Sequence, residues 1–422
     1  MGPETMKGPF WIVSCFFVFG CLQVFFREVI ALASLDAFAE SSVAMKQAMV
    51  VSGMSPVMVK LVVPWVSWKV LPYSGKLTLP FVLYTAAFVI TTVASSPASR
   101  YVGVISLDVG SAMAESTFLS LGAFYGDVAV ISFAAGGGLG TVLGAVYYSG
   151  ISTWTCVPPR IAVSFLIPST FFFVITFVVL DKSYVDQRSE NNSTSFPDVH
   201  YDTFGDQKKR ASQLSTMTVK VRTLLHLFMP ITYLFMQYFA DHLSIQTIIP
   251  TLASTGEAHD LRIGHYTYYS LAHDIGSLIG RSYLLLLAIT CPCVASHAQI
   301  KHMWILATGG NIMMFCLVFL SWFHPIIEVE VILVSCFIIG LIAGSHYANS
   351  PLVITEQVRN VTEGEFALGI LTLGSSAGMY AAGLLGLFLK PYLTQHCLFV
   401  LGKNFPKKFF SFKGWIENAH CR

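Results

Sequence analysis

The sequence predicts an all-α, polytopic membrane protein of about eleven transmembrane helices, grouped six and five around one hydrophilic loop. Three observations carry that expectation. Of the 422 residues, 54% are hydrophobic and 11% charged, whereas soluble domains carry charge on roughly a quarter of their residues. Apolar runs follow one another almost from end to end, each near the ~20 residues that cross a ~30 Å hydrocarbon core. Inside those runs sit Lys60, Asp108, Glu115, Asp241, Asp274 and Arg281. A charge at membrane depth is costly unless it is paired or faces water. The set therefore points to a hydrophilic interior, and a hydrophilic interior points to transport.

The spans fall near 10–34, 44–68, 78–98, 100–124, 128–150 and 160–180, then 224–250, 266–290, 303–323, 327–348 and 365–389. The first follows a short polar lead with Lys7 and reads as uncleaved. A signal peptide ending at Ala31-Leu32-Ala33 is the alternative, although Arg27 and Glu28 interrupt the approach to that site. Residues 181–222 are the one sizeable hydrophilic stretch, rich in Ser, Asn, Asp and Lys, and are expected to be disordered. The chain thus divides into a six-helix half (1–180), a cytoplasmic loop (181–222), a five-helix half (223–390) and a basic aromatic tail (391–422).

Positive charge sets the orientation. Lys182, Arg188, Lys208, Lys209, Arg210, Lys220 and Arg222 place the central loop in the cytoplasm, and counting back six helices places the N-terminus there too. The odd helix count sends Lys403, Lys407, Lys408 and Lys413 to the other side, unless a short re-entrant piece near 392–401 returns the tail.

Composition excludes other classes. A net charge of +2 is no nucleic-acid footprint. The nine cysteines are scattered, mostly in apolar runs, and read as packing residues; Cys291 and Cys293 flank Pro292 in a turn that lacks further metal ligands nearby. No metal or cofactor is expected. Zinc-protease helices, nucleophile elbows and paired intramembrane aspartates are all missing, so an enzyme is not expected.

Small residues recur at spacing four, as Gly136, Gly140 and Gly144 in the fifth span and as Gly374, Gly378, Ala382 and Gly386 in the eleventh. Such stripes let helix backbones approach closely. Lying six helices apart, they fit a parallel duplication of a six-helix unit. The Gly136–Gly140 cluster lacks the Lys-Ser/Thr of a phosphate loop and reads as packing.

Asp108 and Glu115 sit seven apart, hence on one helix face, and so do Asp274 and Arg281. Polar stripes of this kind line a cavity or pair across helices; for the set of six, a shared water-filled cavity is the better reading. Lys60 and Arg281 are the basic residues expected deep within spans, and Arg281 offers the better fork for phosphate oxygens. An anionic small-molecule substrate is the expected partner. His242, His273 and His346 lie beside or within the same stripes, where they either carry protons or are satisfied core residues. Asp108, Glu115, Asp241 and His346 are the candidates for proton coupling.

The strings MSPVMVKLVVP at 54–64, LPYS at 71–74, ESTFLSLGAFY at 115–125 and AVIS at 129–132 carry a specific likeness. So do YFAD at 238–241, GRS at 280–282, GSHYAN at 344–349 and EFA at 365–367. Taken in order and with their spacing, they resemble the battenin family of lysosomal membrane proteins. That resemblance implies a major-facilitator-like bundle in the lysosomal or late endosomal membrane. It also implies export of glycerophosphodiesters, with links to lysosomal pH and basic amino acids. Lys60, Glu115, Asp241, Arg281, Asn349 and Glu356 match polar family positions and become the expected substrate-binding set. The family's Asn-Asn pair in the first helix corresponds to about Gln23-Val24, and Gly126-Asp127 replaces its Arg before the AVIS string. The acidic dileucine of the loop is absent, whereas Tyr201-Asp-Thr-Phe204 has the form of a tyrosine sorting signal for clathrin adaptors. A non-transporting membrane scaffold or trafficking regulator is the competing reading.

This topology predicts that three glycosylation sequons, at Asn191, Asn192 and Asn360, stay unmodified because each falls on the cytoplasmic side. Gel mobility before and after glycosidase, with each Asn changed to Gln in turn, checks it. Sugar at Asn191 or Asn192 would invert the topology, and sugar at Asn360 alone would mean a miscounted helix in the second half.

Overall fold

In hydrocarbon every backbone N–H and C=O must be satisfied within the chain, and a sequence without the even strand pattern of a barrel has only helices to do it. The computed structural model describes residues 10–38, 42–66, 73–94, 96–151, 155, 157–180, 205–252, 259–323, 329–358 and 360–400, with helix as the regular secondary structure throughout. Nine stretches among them are long and apolar enough to cross a membrane. The first half holds α1 (Phe10–Phe38), α2 (Ser42–Val62), α3 (Tyr73–Val93), α4 (Pro97–Tyr125) and α5 (Asp127–Ser149). Its sixth span is broken into α6 (Pro159–Ser164) and α7 (Phe171–Val179), with Pro168 beginning the turn between them. The second half holds α8 (Gly205–Leu243), α9 (His259–Thr290), the short α10 (Pro292–Ala298), α11 (Met303–Phe323) and α12 (Val329–Gln357). It closes with α13 (Val361–Leu371) and α14 (Leu373–Val400), one span interrupted at Thr372. The two long helices outside the nine, α2 and α9, carry more polar residues and pack along the bundle, α2 on α4 and α14, α9 on α12 and α5.

Two boundaries differ from expectation. Residues 205–222, expected within the disordered loop, form the opening turns of α8. That stretch carries three Lys, two Arg and two Gln and is free of Pro, and extending an existing helix avoids the cost of nucleation. The tail does not re-enter near 392. Instead α14 runs through Pro391 to Val400, anchored where His396 stacks on Trp322 at 3.9 Å and bonds its carbonyl at 3.0 Å. Residues 401–422 lie outside the described residues.

The glycine stripes are seams where backbone meets backbone. A Cβ on Gly136 would strike Phe17 O of α1, and one on Gly140 would strike Cys21 O. In the second half a Cβ on Gly374 or Gly378 would strike Ile231 O or Phe235 O of α8. Helices α1 and α8 each open their half, so the same pairing recurs six spans later, as a parallel duplication requires. Close approach in a bilayer gains dispersion contact that lipid tails would otherwise supply. Between α4 and α5, Gly126 turns the chain at φ +89°, a conformation favourable only to glycine.

The halves are latched at the end where the central loop joins. Lys76 Nζ meets Glu365 Oε1 at 3.2 Å, and Tyr73 donates to the same oxygen at 3.1 Å. Ser120 and Ser116 donate to the carbonyls of Glu365 and Gly369 at 2.9 and 3.0 Å. Thr355 donates to Asp127 at 2.8 Å, and Lys220 donates to Trp65 O at 2.8 Å.

The seams predict a contrast between two Gly→Ala changes. Gly140→Ala forces a methyl against the α1 backbone and should cost about 1–3 kcal/mol. Gly383→Ala, with nothing within 4 Å of its Cβ, should be neutral or stabilising by up to about 1 kcal/mol. Thermal unfolding of the purified protein in detergent reads both; equal midpoints would refute the seam.

Candidate functional site

Lys60 ends its span beside the opposite half. Near the end of α2, its Nζ pairs with Glu115 Oε2 of α4 at 2.7 Å, with both side chains under a tenth exposed. It also reaches Thr372 O at 3.3 Å, at the break between α13 and α14. That carbonyl also accepts from Ser376 N at 3.2 Å and from Ser375 Oγ at 2.8 Å. Tyr347 of α12 donates to Glu115 Oε1 at 2.7 Å, so both carboxylate oxygens are held. The sequence places Lys60 as an open cation supporting Arg281 on substrate. The structure corrects this, because Glu115 neutralises it and the pair joins the halves.

Arg281 is differently placed. On α9, its guanidinium lies over the Tyr347 ring, 4.5 Å from the centroid, and its Nη2 is 3.5 Å from Tyr238 OH. Nε is buried without a hydrogen-bond partner. Among the described residues no carboxylate lies within ion-pair distance of it. Its floor is α5: a Cβ on Gly137 would sit 3.1 Å from Nη1, and one on Gly138 would sit 3.0 Å from Leu278 Cα. Glycine at these positions lets the guanidinium lie flat between the halves. An arginine in this condition suits a carboxylate or a phosphate, either of which presents two oxygens to two parallel N–H donors.

A second polar cluster joins α8 to α9. His273 bridges two carboxylates, with Nε2 2.9 Å from Asp241 Oδ1 and Nδ1 3.2 Å from Asp274 Oδ1. His242 Nδ1 approaches Asp241 Oδ2 at 3.4 Å. The imidazole's proton count sets the net charge of the trio, so the cluster is built to hold or release a proton. Asp274, seven residues before Arg281 on the same helix, has Oδ1 on His273 and Oδ2 buried without a hydrogen-bond partner. Among the described residues no group of three or more His, Cys, Asp or Glu is placed to hold a metal ion.

Other expected residues fall elsewhere. Asp108 is buried at 7% exposure on the α4 face toward Glu115, seven residues away. His346 is fully buried with neither ring nitrogen bonded. Asn349 is engaged in packing: its amide donates to Tyr283 OH at 2.6 Å and Ser345 O at 2.7 Å, and it accepts from Ile300 N at 2.7 Å. Glu356 pairs with the exposed Lys301 at 3.0 Å, toward the latched end. Neither is brought to Arg281. Tyr201 and Phe204 lie outside the described residues. Sequence reading missed Arg27, Gln23, Tyr238 and Tyr347. Gln23 Nε2 donates to Ser111 at 2.8 Å inside the first half. The signal for Arg27 was present as a charge in the first apolar run, where Arg27-Glu28 reads as a break before a cleavage site and as foreign to the battenin pattern.

Against known proteins, the CLN3 protein family model matches residues 14–396. The chain belongs to the CLN3 protein family. Relatives include Protein BTN1 of Yarrowia lipolytica, 26% identical over 400 residues, covering 91% of this chain and 95% of that one. Battenin of Canis lupus familiaris is 23% identical over 350 residues, covering 80% and 74%. Among solved structures, the major facilitator superfamily transporter FucP in the outward conformation aligns with a TM-score of 0.52 at 13% identity, covering 92% of this chain and 99% of that one. The peptide transporter POT aligns at 0.57 and 11%, covering 95% and 92%. At such identity the likeness is one of fold: this CLN3-family chain is a multi-pass membrane protein with the major-facilitator architecture.

The Lys60–Glu115 pair generates a prediction. Glu115→Gln leaves a buried ammonium without its counter-charge, a change that typically costs about 3–5 kcal/mol. A lowered unfolding midpoint in detergent is expected, with substantial recovery in Glu115→Gln combined with Lys60→Met. A wild-type midpoint for the single variant would show that the pair does not tie the halves.

Proposed function

We propose that this chain is a transporter of the lysosomal membrane that exports glycerophosphodiesters by alternating access of its two halves. The observation that carries the reading is Arg281, a half-buried guanidinium between the halves, its Nε buried without a hydrogen-bond partner and no carboxylate at ion-pair distance among the described residues. An isolated charge at membrane depth marks a substrate or ion path, and a fork of N–H donors favours a phosphate group. Membership of the battenin-containing family supports the compartment and the deacylated phospholipid substrate, with lysosomal pH and basic amino-acid balance as downstream effects. Sorting through Tyr201 and Phe204 by clathrin adaptors belongs to the same reading.

In this mechanism the phosphate replaces the long Arg281–Tyr238 contact with shorter charge-assisted bonds. Release toward the central loop then requires the latch of Lys76, Glu365, Ser116 and Ser120 to part. Proton coupling falls to Asp241, His273 and Asp274, which lie on α8 and α9 close to Arg281 in sequence and space. A change in the trio's charge alters the field at the guanidinium.

Uptake of labelled glycerophosphoinositol and glycerophosphocholine by proteoliposomes tests the proposal. Arg281→Ala should weaken substrate affinity ten- to hundredfold, the loss of a charge-assisted bond of about 1.5–3 kcal/mol. Arg281→Lys should recover only part of it. Asp241→Asn should flatten the pH dependence while leaving exchange at equal pH. Well-folded protein that moves none of these substrates would favour the scaffold reading, and unchanged transport by Arg281→Ala would remove the arginine from the site.

A further inference from the structure

Arg27 sits in the second half of the 29-residue α1, inside the stretch Phe10–Ser34 that is long and apolar enough to cross a membrane. Its Nη2 reaches across to Met379 Sδ of α14, in the other half, at 3.5 Å. A thioether is a weak acceptor, and a guanidinium has five donors to place. Among the described residues no carboxylate lies within ion-pair distance of Arg27. Glu28 is its chain neighbour, but consecutive residues diverge around a helix, and Glu28 packs its methylenes against Gly144 of α5. The chain therefore holds a second guanidinium within an apolar span that has no carboxylate at ion-pair distance among the described residues, with Glu28 and Glu115 only in longer electrostatic reach. Such a charge calls for water or a bound anion.

The position of that charge relates it to Arg281. Val24, three residues before Arg27 and on the same face of α1, lies 3.3 Å from the point a Cβ would occupy on Gly137. Arg281 Nη1 lies 3.1 Å from that same point. The α1 face that carries Arg27 and the guanidinium of Arg281 thus converge on one glycine of α5. Tyr238 lies within electrostatic reach of both arginines, as does Glu28. One arginine belongs to each half, and the first-half cation that sequence reading sought in Lys60 is here Arg27.

We propose that Arg27 is the second anion-binding residue of the site, and that Arg27 and Arg281 together grip one phosphate ester from opposite halves. Empty, the two like charges repel across the junction. Occupied, a shared phosphate gives each guanidinium its acceptor oxygens and draws the halves together, so substrate binding and closure become one event. The inference rests on the reading of Arg281 as an anion anchor and adds the residue that makes the grip two-sided.

Anion-dependent thermal stabilisation of the full-length protein in detergent tests this without needing transport. The probes are inorganic phosphate, glycerol 3-phosphate and glycerophosphocholine, with chloride at equal ionic strength as control. The wild-type protein should be stabilised by phosphate esters beyond chloride. In Arg27→Gln the half-maximal concentration should rise about ten- to hundredfold. Arg27→Lys keeps the charge, is the variant expected to fold in any case, and should recover only part of the affinity because the fork is lost. The double variant Arg27→Gln with Arg281→Gln should bind little worse than either single one, since one missing hand already opens the grip. An unchanged half-maximal concentration in both Arg27 variants, alongside a loss in Arg281→Ala, would overturn the role of Arg27 and leave the anion anchor standing. Failure of every phosphate probe to stabilise wild-type protein beyond chloride would overturn both. Phosphate stabilisation without glycerophosphodiester uptake would keep the two-arginine site and discard the proposed substrate.

Discussion

Lys60 and Glu115 meet at 2.7 Å where α2 and α4 touch the broken span of the opposite half, and the arrangement of the other charges follows from that pairing. Because the lysine is answered by a carboxylate, and the carboxylate's second oxygen by Tyr347, this part of the interior is electrically closed. Tyr347, with its hydroxyl fixed there, presents its ring to Arg281. One neutral pair within the first half, bonded across to Thr372 O and Tyr347 of the second, thus positions the aromatic face on which Arg281 rests. Without the pair, a buried ammonium would compete with Arg281 for any incoming anion, and a carboxylate would repel it.

The buried groups sort into two kinds. Lys76 with Glu365, Thr355 with Asp127 and Asn349 with its three partners are self-contained, and their bonding holds helices together. Arg281, Arg27 and the His273 trio are not self-contained in the same sense. The first two have no carboxylate at ion-pair distance among the described residues, and the third changes charge with protonation. Function is argued from the second kind, because a satisfied group has little left to offer a ligand.

Much of the architecture was legible in the chain. Length and apolarity of the runs fix how many helices cross, and the spacing of Gly136, Gly140, Gly374 and Gly378 anticipates which helices touch. The start of α8 was not legible, since a polar, charged stretch reads as solvated loop whether or not a helix extends into it. Among the site residues, Arg281 was visible as an isolated charge in an apolar span. Lys60 looked the same from sequence but differs in kind, because the partner that neutralises it lies 55 positions away on another helix. Asn349 and Glu356 show the same limit: a polar residue type in a span does not say whether its bonds are already made. Pairing is a property of three-dimensional neighbours, and helical periodicity reports only the face.

The glycine seams have a mechanical consequence. Where carbonyls and amides of two helices lie in direct contact, with no side chain between them to change rotamer, the pair has no soft coordinate along which to slide. Helices α1 with α5, and α8 with α14, are fused in this way, so each half is stiff. Deformation must then concentrate on the α5–α9 crossing, where Gly138 meets Leu278 Cα at the foot of Arg281. That crossing and Arg281 occupy the same few ångströms, so in the proposed mechanism a ligand held by the arginine would act on the fulcrum rather than on a distant lever.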